Sequence, residues 1–224
     1  MKKKILPVCF CVSTNTRVGN LVAGTEDADG IASTWIQLAR QGMQRFYDLA
    51  AADPDCQTEA SIIIFDDSAR EVRVEELIQH NTQVPALNSG PPASVLDEGV
   101  EASLRILRRH TEKCRRSGAE CYQPMLVVFY AGNGKCNSDH HFNTVAEECR
   151  RLQEAGELHV ELVCIRPDAQ ALLAGLSAHA QVRCVDQGVQ LPEVIAQAWE
   201  HKQEMTAAPA AKADADYFMS VWEI

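Results

Sequence analysis

Two hydrophobic rhythms alternate along this chain. Short apolar runs occupy Ile5–Val12, Ser61–Phe65, Met125–Tyr130, Val160–Ile165 and Val182–Val185. They are rich in Val, Ile and Cys and almost continuously apolar, as strands become when both faces of a sheet are covered. Glu71–Val74 alternates instead and follows the turn Asp66-Asp67-Ser68-Ala69, which predicts an edge strand paired in a hairpin. The segments between the runs carry helix spacing. Ile31–Ala51 sets Ile31, Trp35, Leu38, Ala39, Met43, Phe46 and Leu49 on one stripe, and Ser94–Cys114 does so with Leu96, Val100, Leu104 and Leu107. Phe142–Ala155, Asp168–Leu176 and Leu191–Met205 complete the set. Asp168 after Pro167 predicts an N-cap, and Leu191-Pro192-Glu193 puts a proline and an acid in a first turn.

Strand–helix alternation of this kind predicts βαβ units. The expected fold is a single Rossmann-like α/β domain over residues 1–205, with a central mostly parallel sheet and helices on both faces. Ligands of such sheets collect at the carboxyl ends of the strands. The end of the chain breaks the pattern. Residues 206–216 are mostly Ala, Pro, Lys and Asp and read as a flexible tether. Residues 217–224, Tyr-Phe-Met-Ser-Val-Trp-Glu-Ile, form an aromatic tail. It is expected to dock on its own domain or to be offered to a partner, a second copy included.

Composition narrows the functional classes. At 224 residues, 46% hydrophobic and 23% charged, the chain needs no staple to build a core. A formal net charge of −10 argues against a duplex nucleic-acid binder and against an anionic-membrane binder, since both need a basic surface. The basic residues do cluster at Arg105, Arg108, Arg109, Lys113, Arg115 and Arg116, read as the solvated face of a helix or as a dock for an acidic partner. The nine cysteines include no C-x-x-C pair, and Cys9, Cys11 and Cys164 sit inside strand runs, which points to a reducing, cytoplasmic setting. The start, Met1 to Val12, reads as a first core strand led by lysines rather than a signal peptide. No run is long enough to span a bilayer.

Candidate chemistry is sparse. Cys136-Asn-Ser-Asp139-His140-His141 is a dense group of zinc-competent side chains, read as a solvated loop, a zinc site or a nucleophilic Cys–His pair. Gly132-Asn-Gly-Lys135 lacks the full phosphate-loop pattern. Asp66 and Asp67 suit a β-turn better than a catalytic pair. His80, His110, His159, His179 and His201 look isolated and call for no special role.

Three segments in order resemble the ligand-carrying loops of von Willebrand factor A (VWA) domains. They are Leu6–Val18, Asn88–Leu104 and Leu126–Lys135, and Ser61–Arg70 is similar to the second core strand of that family with its turn. The likeness extends to bacterial VWA proteins found with tellurium-resistance and kinase–phosphatase signalling systems. The family holds a divalent cation with D-x-S-x-S in the first loop, a threonine in the second and T-D-G in the third. By position, these ligands become Ser13, Asn15, Arg17, Ser94 (Ala93 if the loop slips by one) and Ala131, with Asn133 beside them. No carboxylate remains, and a hard cation wants several. Arg17 adds a charge that repels a cation about 4 Å away by several kcal/mol at an effective dielectric of about 20. The resemblance therefore implies no magnesium and no other cofactor. It implies a non-enzymatic module that meets another protein through these loops, with Arg17, Asn15 and Ser94 facing a partner's acidic side chain. The alternatives are a zinc- or cysteine-dependent hydrolase using Cys136, Asp139 and His140 or His141, and a VWA domain that keeps magnesium through displaced acids such as Asp27, Asp29 or Asp139.

Overall fold

A computed structural model describes residues 4–132, 138–179 and 181–204, leaving aside the side chains of 202–204. The tether and the aromatic tail lie outside the described residues. The main sheet has 7 strands. In chain order these are β1 (Lys4–Ser13), β4 (Gln57–Phe65), β5 (Ala69–Leu77), β6 (Glu120–Cys121), β7 (Met125–Tyr130), β8 (His159–Cys164) and β9 (Arg183–Cys184); β2 (Leu21–Glu26) and β3 (Ala32–Thr34) form a separate hairpin. The spatial order is β5-β4-β1-β7-β8-β9, with short β6 also on β1. Every pair in the main sheet is parallel except β4–β5, which is antiparallel, so the expected edge hairpin at Glu71–Val74 is present and longer than its alternating run.

Period-2 alternation divides the core. On β1, Leu6, Val8, Phe10 and Val12 face α1 (Trp35–Ala51) and the C-terminal helical segment, while Cys9 and Cys11 face the other layer. That second layer consists of α2 (Leu96–Arg116), α3 (Asp139–Glu154) and α4 (Gln170–Ala174). β7 repeats the division, with Met125, Val127 and Phe129 on one side and Leu126, Val128 and Tyr130 on the other. The expected mostly parallel α/β sheet with helices on both faces is what the chain forms.

Three expectations are corrected. The first helix does not begin at Ile31. Thr34 caps it in a capping box with Gln37, and Ile31 is exposed at 64% on the hairpin. Asp27 closes that hairpin by accepting from Asp29 N and Ile31 N, with Gly30 at φ 76°. Asp168 is not an N-cap; it lies inside a 3-10 turn, Pro167–Ala169, and its carboxylate pairs with Arg166 at 2.6 Å. The final helix is a single turn and a half, α5 (Leu191–Ala196), continued as a 3-10 segment, Gln197–Glu204. The basic face of α2 is ion-paired: Arg109 and Lys113 meet Glu75, and Arg108 meets Glu148.

Candidate functional site

The carboxyl ends of β1 and β4 are tied together by backbone and side chain. Thr14 N donates to Phe65 O at 2.8 Å, and Thr14 Oγ1 donates to Asp66 Oδ2 at 2.9 Å. Asp66 is completely buried and also takes Asp67 N at 2.8 Å and an ion pair from Arg70. Burial opposes its ionisation, yet the hydrogen bonds from Thr14 and Asp67 and the Arg70 charge outweigh it and hold the carboxyl below its usual range. The loop before α2 closes over this pair. Thr16 N donates to Pro91 O, Gly90 N to Thr14 O, and Val95 N to Asp66 O at 2.9 Å. Only glycine fits at position 90, where a Cβ would lie 2.2 Å from Asp66 Oδ2.

The residues expected from the VWA resemblance sit on this end, mostly turned inward. Ser13 ends β1 and is fully buried. Asn15, 1% exposed, caps the 3-10 turn Thr16–Gly19 by accepting from Arg17 N at 3.0 Å, and its amide donates to Ser13 Oγ at 3.1 Å. Arg17 is half-buried. Its charge reaches Asp168 beyond β8, where the hydrogen-bonded Arg166 chiefly holds the carboxyl below its usual range and Arg17 adds to the effect. Ser94 Oγ is buried without a partner among the described residues. Ala131 is fully buried, and the Tyr130 hydroxyl folds over the adjoining Gly132, where a Cβ would meet it at 2.1 Å. Asn133 lies outside the described residues.

Cys136 also lies outside them, and of the residues named for the hydrolase alternative the described ones are Asp139, His140 and His141. Ser138 caps α3, and Asp139, His140 and His141 form its first turn. Side chains one residue apart on a helix diverge by about 100°. His141 turns to α2 instead, with Nδ1 2.7 Å from Asp97 Oδ2 and Nε2 3.5 Å from Glu101 Oε2. Asp97 is buried, and its Oδ1 has no partner among the described residues. Asp27 and Asp29 are exposed and belong to the hairpin turn.

At the opposite, amino end of the sheet, the expectation of isolated histidines is overturned. His110, fully buried on α2, lies with Nε2 2.8 Å from Glu59 Oε2 on β4. His159 opens β8 with Nε2 2.7 Å from Glu161 Oε1, and His201 Nδ1 bonds the same oxygen. Arg183 reaches Glu161 Oε2 at 3.7 Å. Burial disfavours the Glu161 charge, but His159 and then His201 outweigh it, so the carboxyl is held below its usual range. The sequence held a usable signal: Glu161 interrupts an apolar strand, and Asp97 and His110 fall on the apolar stripe of α2 that carries Val100, Leu104 and Leu107. A charged side chain at a core position is rarely left unpaired.

No protein-family model and no curated protein matches the sequence. Similar solved structures share its architecture at low identity. A von Willebrand factor type A protein from Catenulispora acidiphila aligns with 90% of this chain and 42% of its own, at 9% identity and TM-score 0.65. The PilB minor pilin from Streptococcus sanguinis aligns with 94% of this chain and 64% of its own, at 9% identity and TM-score 0.61. Proximal thread matrix protein 1 from the mussel byssus aligns with 91% of this chain and 47% of its own, at 11% identity and TM-score 0.57. The chain thus spans about half the length of that protein and under two thirds of the other two. The fold of this chain is that of a von Willebrand factor A domain.

Proposed function

We propose that this domain is a non-enzymatic interaction module that binds another protein, without a divalent metal, through the loops at the carboxyl ends of its strands. The observation that carries the reading is what stands at the ligand positions of the VWA site. Ser13 and Ala131 are fully buried, Asn15 is committed to Ser13 and to the Arg17 backbone, and Arg17 brings a guanidinium. Asp66, the buried carboxylate after β4 that Thr14 of the first loop contacts, spends both oxygens on Thr14, Asp67 and Arg70. Such a donor set does not suit a hard cation. Arg17 is the accessible charge, and a guanidinium grips a partner's carboxylate in forked geometry. A reducing cytoplasmic setting accords with cysteines such as Cys9, Cys11 and Cys164, which are buried within core strands as small apolar side chains. Among the described residues, no helix is long and apolar enough to cross a membrane. A bacterial stress-response or phospho-signalling system as the setting rests on the loop resemblance alone.

The test is capture of partners by the tagged full chain in EDTA and in magnesium. The expected result is the same partner in both buffers, lost with Arg17→Glu while the melting temperature stays put. Capture that requires magnesium, or that ignores Arg17→Glu, would sink the reading. A second reading is carried by two buried oxygens with no partner among the described residues, Ser94 Oγ and Asp97 Oδ1: a cation held by displaced acids. Under that reading magnesium raises the melting temperature of the native chain and not of Asp97→Asn.

A further inference from the structure

We propose that His159, Glu161 and His201 form a binding site for a zinc-type divalent cation at the amino end of β8, on the opposite end of the sheet from the loop face. His159 and Glu161 are two residues apart on one strand, so both project from the same face of the sheet. His201 arrives from the 3-10 segment Gln197–Glu204 that packs over that face. One ligand atom from each residue lies within 4.8 Å of the others. His159 Nε2 stands 2.7 Å from Glu161 Oε1, and His201 Nδ1 contacts the same oxygen. Around a tetrahedral zinc, ligand atoms bonded at about 2.0–2.2 Å lie roughly 3.3 Å apart. The two imidazoles need only draw back from the shared oxygen by a side-chain adjustment for an ion to enter between them.

The ligand chemistry selects the ion. Two imidazoles and one carboxylate suit zinc and its first-row neighbours, whereas magnesium prefers an all-oxygen shell. Three protein ligands leave a fourth position for water. The carboxylate is 10% exposed, and the imidazoles are 25% and 29% exposed, so the charge is sheltered while the ion can enter from solvent. Arg183 supplies the outer support. It approaches Glu161 Oε2 at 3.7 Å and donates from Nη1 to Gln197 Oε1 at 3.1 Å, which leaves Oε1 free to face the imidazoles. Its Nη2 also lies 3.3 Å from His201 Nε2. Binding of an ion at His201 Nδ1 puts the ring proton on Nε2, so that contact is given up, and the Arg183 charge tempers the affinity. The bound ion fastens the last described segment of the chain to the sheet.

The experiment titrates the metal-stripped full chain with zinc ion and, for its spectrum, cobalt ion, alongside His159→Ala, His201→Ala and Glu161→Gln. The expected result is a zinc-dependent rise in melting temperature and a cobalt spectrum of nitrogen and oxygen ligands without a thiolate charge-transfer band. Each histidine variant should weaken zinc by about tenfold or more. Both histidines are partly exposed, so these variants are expected to fold, and circular dichroism checks it; His159→Gln replaces His159→Ala if it does not. Absence of zinc binding overturns the proposal. So does binding that survives both histidine variants, or a cobalt spectrum of thiolate ligation alone, because the metal then sits on cysteines.

Discussion

The two ends of the parallel sheet have opposite characters. At the carboxyl end, where a VWA fold ordinarily gathers its ligands, the polar side chains of the first loop and of the turn after β4 are spent on one another: Asn15 on Ser13, and Asp66 on Thr14 and Arg70. At the amino end, His110 meets Glu59, and His159 and His201 converge on one oxygen of Glu161. Fold thus marks where a site can form, and the residues that stand there decide what it can hold.

Four perturbations break or sharpen that contrast, taken from the strongest. Asp66→Ala removes a buried, ion-paired carboxylate that holds two loops together. It should cost about 3–4 kcal/mol, measured by urea unfolding; a cost near that of a surface change would mean that the loops are held otherwise. Glu161→Gln should cost about 2 kcal/mol at neutral pH, because the charge that its histidines and Arg183 surround is lost. The same residue sets a pH dependence. Its folded pKa is depressed, so its contribution is present above the unfolded value near 4.5 and vanishes as pH falls through the folded one. Melting curves of the wild type should fall more steeply than those of Glu161→Gln on acidification below about pH 4.5; parallel curves would deny Glu161 that role. Gly90→Ala drives a methyl against Asp66 and should cost about 1–3 kcal/mol. Smallest in stability is Arg17→Glu, within about 0.5 kcal/mol of the wild type, since its side chain is partly exposed. Its effect belongs in partner capture, and a large loss of stability would recast Arg17 as structural.

The strands and the layering were legible because continuous Val-, Ile- and Cys-rich runs can only be doubly covered. The hairpin Leu21–Thr34 was not, since its strands carry no clean alternation and Leu21 and Ile31 are exposed. Its turn, Asp27-Ala-Asp-Gly30, was the available signal. Of the site, the order of the loops was readable, and the inward commitment of Asn15 was not, because a buried cap and an exposed ligand look the same in sequence. The His201–Glu161 contact joins residues far apart along the chain, and no spacing rule reaches that distance. Only the isolated charge within an apolar strand marks where to look.

The most direct test of the proposal that the carboxyl end binds its partner without a metal is the melting temperature of the metal-stripped full chain as magnesium is added, with ionic strength held constant. No shift is expected across the titration. A saturable rise would contradict it and would place a cation among Ser94, Asp97 and their neighbours.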